Sequence, residues 1–117
     1  MIKSKQIQRP QLVLVVDDQE INRDALGVIL EDDYEVIYAG NGREALELMH
    51  QHASELSIVL LDLLMPVMNG FEVMERVKQD EQLRRIPIIV LTAEKSAELK
   101  ALQMGAADFI TKPFDDS

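Results

Sequence analysis

Residues 12–20 read LVLVVDDQE: five apolar residues run unbroken into Asp17 and Asp18, and then the chain turns polar. A strand with one wet face alternates apolar and polar residues, whereas a strand covered on both faces does not. LVLVV is of the second kind and predicts a central strand of a parallel sheet with helices on either side. Adjacent carboxylates at the mouth of such a strand repel each other, so their placement calls for a chemical reason.

Outward from this stretch come four more short runs rich in Val and Ile: YEVIYA (34–39), SIVLLD (57–62), IPIIVLT (86–92) and ADFIT (107–111). Helix-period segments separate them. Ile21, Ala25, Val28 and Ile29 share one helical face, as do Ala45, Leu46 and Met49, and also Phe71, Met74 and Val77. A fourth helix fits residues 94–104, with Gly105 placed as its C′ residue. The alternation implies right-handed crossovers and an α/β, doubly wound parallel sheet. Residues 1–11 read as a flexible lead-in and residues 12–117 as one domain.

Composition narrows the function. The chain has no cysteine, hence neither a disulfide scaffold nor a thiolate metal site. Its formal net charge of −9 argues against direct contact with nucleic acid and suits cations or basic partner surfaces. No apolar run approaches the roughly 18 residues of a membrane span, and the N-terminus lacks the apolar core of a signal peptide. A cytoplasmic location is expected.

In a doubly wound sheet the ligand site lies beyond the carboxyl ends of the strands. Asp17 and Asp18 end the first strand, Asp62 the third and Thr92 the fourth, while Lys112 follows the fifth, before Pro113. Clustered carboxylates need a cation, and hard ions of the Mg2+ type take oxygen ligands and retain waters. A lysine suits a phosphoryl oxygen and a threonine adds a hydroxyl donor, a set fitted to phosphoryl transfer. A carboxylate can itself be the nucleophile, and Asp62, alone at the end of the central strand, is the candidate.

The motifs VVDDQE, VLLDLLMPVMNGFE, PIIVLTA and DFITKPF, in this order and each at a strand end, resemble the receiver domain of two-component response regulators. The resemblance runs from residue 12 to the last residue. It implies a flavodoxin-like fold of strand order 2-1-3-4-5. It also implies a phosphoacceptor signalling domain rather than an enzyme. Such a domain takes a phosphoryl group from a histidine kinase or histidine phosphotransfer protein onto Asp62, and catalyses its own phosphorylation and dephosphorylation. By the same resemblance Asp18, Asp62 and the backbone carbonyl of Leu64 would ligate Mg2+, or Mn2+ in its place, with Asp17 acting through a bound water. Thr92 and Lys112 would contact the phosphoryl oxygens. Thr92 and Phe109 match the family's switch positions, and Lys112–Pro113 matches a bond that is cis in the family. Leu64 and Glu94 match positions that tune attack by water, and an apolar Leu64 implies a long-lived phosphorylated form.

The family ends in a fifth helix, whereas this sequence stops at Asp115, Asp116 and Ser117, which are N-cap residue types. Truncation before that helix is expected, with an output domain downstream of Ser117. Residues near Phe109 and Ile110 would then be partly bare, and a homodimer through the face of the fourth helix and fifth strand would cover them. Two other readings compete. GNGREA (40–45) fits the dinucleotide-binding fingerprint through Gly40, Asn41 and Gly42, although a tight turn with Asn41 as helix N-cap explains it equally. A pure interaction module that has lost its chemistry is the other, yet neither an acid nor the lysine is missing. His50 and His52, two residues apart, do not share a helical face and read as surface residues. Met65 and Met68 read as packing at the rim of the site, and EDD (31–33) as a solvated turn.

Overall fold

The computed structural model describes residues 10–65 and 67–112. Strands and helices alternate through them: β1 (Gln11–Val16), α1 (Glu20–Leu30), β2 (Tyr34–Ala39), α2 (Gly42–Gln51), β3 (Leu56–Asp62), α3 (Gly70–Lys78), β4 (Ile88–Thr92), α4 (Lys95–Gln103) and β5 (Asp108–Thr111). The strands form one parallel sheet in the order β2-β1-β3-β4-β5, the flavodoxin-like order expected. Gln11, read as the end of the lead-in, is the first residue of β1. Ile86 and Pro87 fall before β4, because proline has no N–H for the ladder. Its carbonyl still accepts from the Val59 N–H at 3.0 Å. The Lys112–Pro113 bond, the end of the chain and any fifth helix lie outside the described residues.

The continuous apolar strands serve two cores, since successive side chains point to opposite faces. Leu12, Leu14 and Val16 of β1, with Val59 and Leu61 of β3 and Val90 of β4, pack under α2, α3 and α4, where Ala45, Met49, Val73, Met74, Val77 and Ala101 meet them. Val13, Val15, Leu60 and Leu91 face the other way, against Leu26 and Leu30 of α1. Phe109 joins the larger core, while Ile110 points to the α1 side and is 38% exposed. Both are partly bare, as expected, but on opposite faces of the sheet.

α1 brings the main departure. Ile21, Ala25, Val28 and Ile29 do share a face, but it is the solvent face: Ile21 is 74% exposed and Val28 78%. The buried positions are Leu26 and Gly27. The physical reason lies at the helix's N-terminal end, where Asn22 and Arg23 turn inward to hydrogen-bond Asp17. That polar grip fixes the rotation of the helix and leaves the apolar stripe outside.

Elsewhere the local signals hold. The Asn41 side chain caps α2 by accepting from the Glu44 N–H at 2.9 Å, and Asn69 and Glu72 form a capping box at α3. Gly105, just past α4, has φ +107°. Gly70 opens α3 against the end of β3, where a Cβ would collide with the Asp62 carbonyl oxygen and the Leu63 backbone. Only glycine lets that helix start so close to the end of β3. Among the described residues no helix is long and apolar enough to cross a membrane.

Candidate functional site

The expected acids, threonine and lysine arrive at the carboxyl edge of the sheet from four different strands. Asp17 and Asp18 follow β1, Asp62 closes β3, Thr92 closes β4, and Lys112 follows β5. Asp17, Asp62 and Thr92 are buried, while Asp18 is exposed on the rim. One carboxylate oxygen from each of Asp17, Asp18 and Asp62 lies within 4.8 Å of the others. A cleft of about 230 Å³ opens over Asp18 and Asp62, lined also by Gln19, Leu64, Thr92, Ala93 and Lys112, with Asp17 buried beneath it.

Lys112 Nζ bridges the two buried acids, 3.0 Å from Asp62 Oδ1 and 3.2 Å from Asp17 Oδ2. Asp62 Oδ1 also accepts from the Leu64 N–H at 3.3 Å. Asp17 Oδ1 accepts from the Gln19 N–H at 3.0 Å and from Asn22 Nδ2 at 3.4 Å. Thr92 Oγ1 accepts from the Glu94 N–H at 3.1 Å, which leaves its own proton to give.

The charges are poised rather than neutralised. Burial, seconded by the charge of Asp17, raises the Asp62 carboxyl to about 6 against the opposing pull of Lys112 and the Leu64 N–H. Burial works against the Lys112 ammonium, but the hydrogen bond and charge of Asp62 and the charge of Asp17 outweigh it, and its pKa rises. Asp17 Oδ2 is buried and, among the described residues, has no hydrogen bond and only the lysine to compensate its charge. Three carboxylates, one with an unsatisfied oxygen, sharing a single ammonium leave an excess of negative charge. All the donors are oxygens, so the set fits a hard divalent cation.

The remaining candidates fall elsewhere. Phe109 is half-buried in the larger core, and Glu94 and Leu64 stand exposed at the rim. Met65 is buried in that core and Met68 packs against it. His50 Nε2 lies 3.2 Å from Asp80, and His52 Nδ1 3.1 Å from Glu55, so the two imidazoles share no site. The dinucleotide reading fails on geometry. The Gly40 N–H is taken by Glu44 Oε1 at 2.6 Å, and Gly42 is buried against the backbone and side chain of Met68. No open cradle of N–H groups is left for a pyrophosphate. Sequence reasoning missed Asn22 and Arg23, of which only Arg23, on the α1 face opposite the apolar stripe, carried a signal in the pattern.

Comparison with known proteins agrees with this geometry. The response regulator DivK of Brucella anthropi is 37% identical over 107 residues, covering 89% of this chain and 85% of that protein. Response regulator PleD of Caulobacter vibrioides is 40% identical over 107 residues, again 89% of this chain but only 23% of PleD. The chain thus spans less than half the length of several curated relatives it matches. Among solved structures, the Mn(2+)-bound form of response regulator Rcp1 superposes with a TM-score of 0.78 at 26% identity, covering 92% of this chain and 84% of that one. A family model, the response regulator receiver domain, matches residues 13–117. The chain belongs to the response regulator receiver domain family.

Proposed function

We propose that the protein accepts a phosphoryl group on Asp62 from a histidine kinase or histidine phosphotransfer protein, in a reaction that requires Mg2+ or, in its place, Mn2+. The observation that carries this reading is the division of labour on Asp62. Its Oδ1 is held by Lys112 and the Leu64 N–H, while Oδ2 takes no hydrogen bond among the described residues. The free oxygen is the nucleophile: it bonds to phosphorus as the phosphorus–nitrogen bond of the donor histidine breaks, giving an acyl phosphate. Lys112 and the Thr92 hydroxyl then hold the phosphoryl oxygens. Asp18, Asp62 and the Leu64 carbonyl would hold the cation, with Asp17, buried behind them, supporting it from further off. When bound, the cation neutralises charge on the transferring group. Rcp1 in its Mn(2+)-bound form supports this assignment by analogy.

The exposed stripe of Ile21, Ala25, Val28 and Ile29 begins three residues beyond Asp18 and supplies an apolar strip beside the cleft. A helix of the phosphodonor fits such a strip and would bring its histidine over Asp62. Phosphorylation signals through Thr92 and Phe109, in the cytoplasm, to an output domain or partner. The apolar Leu64, 60% exposed at the rim, offers attacking water no hydrogen bond and prolongs the phosphorylated form.

Incubation with acetyl phosphate, read by intact mass, tests the core of the proposal. The native chain with Mg2+ gains a phosphoryl group, whereas Asp62→Asn, or the native chain with EDTA, does not. Undiminished phosphorylation of Asp62→Asn would remove Asp62 from this role.

A further inference from the structure

Three carboxylates converging on one cleft must be aimed as well as gathered, since repulsion drives them apart until a cation arrives. The grip on the first of them is unusually complete. The Asp17 N–H donates to the Ala39 carbonyl at 3.1 Å, and its Oδ1 accepts from Gln19 and Asn22. Its carbonyl oxygen accepts from Arg23 Nη1 at 2.7 Å, the shortest of these bonds. Only Oδ2 is left over, turned toward Lys112.

Arg23 is placed unlike a surface arginine. It leaves α1 on the sheet side, is half-buried, and among the described residues has no carboxylate within ion-pair distance. Its guanidinium lies in the seam between the turns after β1 and β2, where a Cβ on Gly40 would stand 3.4 Å from Nη1. A guanidinium normally seeks a carboxylate or phosphate fork. Here it is given to a single main-chain oxygen.

That oxygen belongs to the peptide joining Asp17 to Asp18. The peptide is planar, so fixing its carbonyl also fixes the amide and the direction in which Asp18 departs. We infer that Arg23 is a positioning residue of the acidic pair: its hydrogen bond to the Asp17 carbonyl locks the Asp17–Asp18 peptide so that both carboxylates are held beside Asp62 before a cation binds. The inference rests on reading these acids as a cation site, and it extends that reading to the residue that prepares them.

Two measurements on the full chain separate the inference from its premise. The first is amide hydrogen exchange without metal at Asp17 and Gln19, both hydrogen-bonded N–H groups within the locked turn. Arg23→Met keeps an apolar stem of similar length but removes the donor. It speeds exchange at these two amides about tenfold, the effect of losing one charge-assisted hydrogen bond, with β4 amides unchanged. Arg23→Lys, which retains a charged donor, restores most of the protection. Should Arg23→Met unfold, Arg23→Gln, too short to reach the carbonyl, gives the same comparison. The second measurement is Mn2+ binding, read by the paramagnetic resonance signal of the free ion, and it weakens about tenfold in Arg23→Met. Unchanged exchange at Asp17 and Gln19 in the donor-less variants overturns the inference whatever the metal does. Failure of the native chain to bind Mn2+ overturns the cation reading instead, and the exchange comparison still decides the role of Arg23.

Discussion

Asp62 ties the stability of the metal-free protein to pH. Its carboxyl stands at 3.8 when free and about 6 in the folded chain, so the folded state holds a proton that unfolding releases. Stability therefore falls as pH rises between about 4 and about 6, and stays reduced above that interval. Asp62→Asn should melt higher than the native chain at pH 7 without Mg2+, and the advantage should disappear near pH 4; thermal melts across that range check it. A second residue-scale expectation concerns Val67, whose φ of +71° is a left-handed conformation poorly suited to a β-branched side chain. Relief of that strain exceeds the extra freedom glycine gains on unfolding, so Val67→Gly should stabilise by about 0.5–1 kcal/mol in denaturant titrations. At this scale Asp17, Asp18, Asp62, Thr92 and Lys112 were legible because their chemistry is unusual at strand ends. Val67 and Arg23 were not. A positive φ has no residue-type signature when it is not on glycine, and the target of Arg23 is a backbone oxygen, which no side-chain pattern announces.

Among the elements, strands were read best and helix orientation worst. An unbroken apolar run buried on both faces, as in β1, β3 and β4, leaves little choice of which side faces in, and the exposed edge strands β2 and β5 were marked by their β-branched and aromatic residues, so every strand was placed to within two residues. A helix offers a stripe but not the side on which it packs. In α1 the stripe and the core lie on opposite faces, because Asn22 and Arg23 are held by Asp17 and Leu26 alone among its large apolar residues is deeply buried. Replacing Ile21 and Val28 by serine should consequently change stability by no more than about 0.5 kcal/mol each, as exposed positions do. Transfer from a phosphohistidine donor should meanwhile fall about tenfold or more if these residues anchor the partner, with acetyl phosphate labelling unchanged. Equal loss with both donors would point to damage of the cleft instead of docking.

At the scale of the molecule, α1 is the only described helix on its face of the sheet, and a groove of about 310 Å³ runs beside it between Val13, Leu30, Ile58, Ile89 and Ile110. Apolar surface of this kind favours association, most simply about a two-fold axis. Light scattering over a concentration series should show the chain self-associating, and Ile110→Lys should return it to a monomer. The groove lies on the α1 side and not on the α4 side that the sequence suggested, since Phe109 and Ile110 are neighbours that point opposite ways.

The bridge from Lys112 to Asp62 joins residues 50 positions apart and can close only after every strand between them has paired. On the ribosome, residues 17, 18, 62 and 92 emerge before the lysine, and until it follows they are three acids and a hydroxyl without their ammonium. On the proposed function, a nascent chain is therefore deaf to its signal until Lys112 has emerged and docked, and competence to be phosphorylated arrives with one long-range contact rather than accumulating along the way.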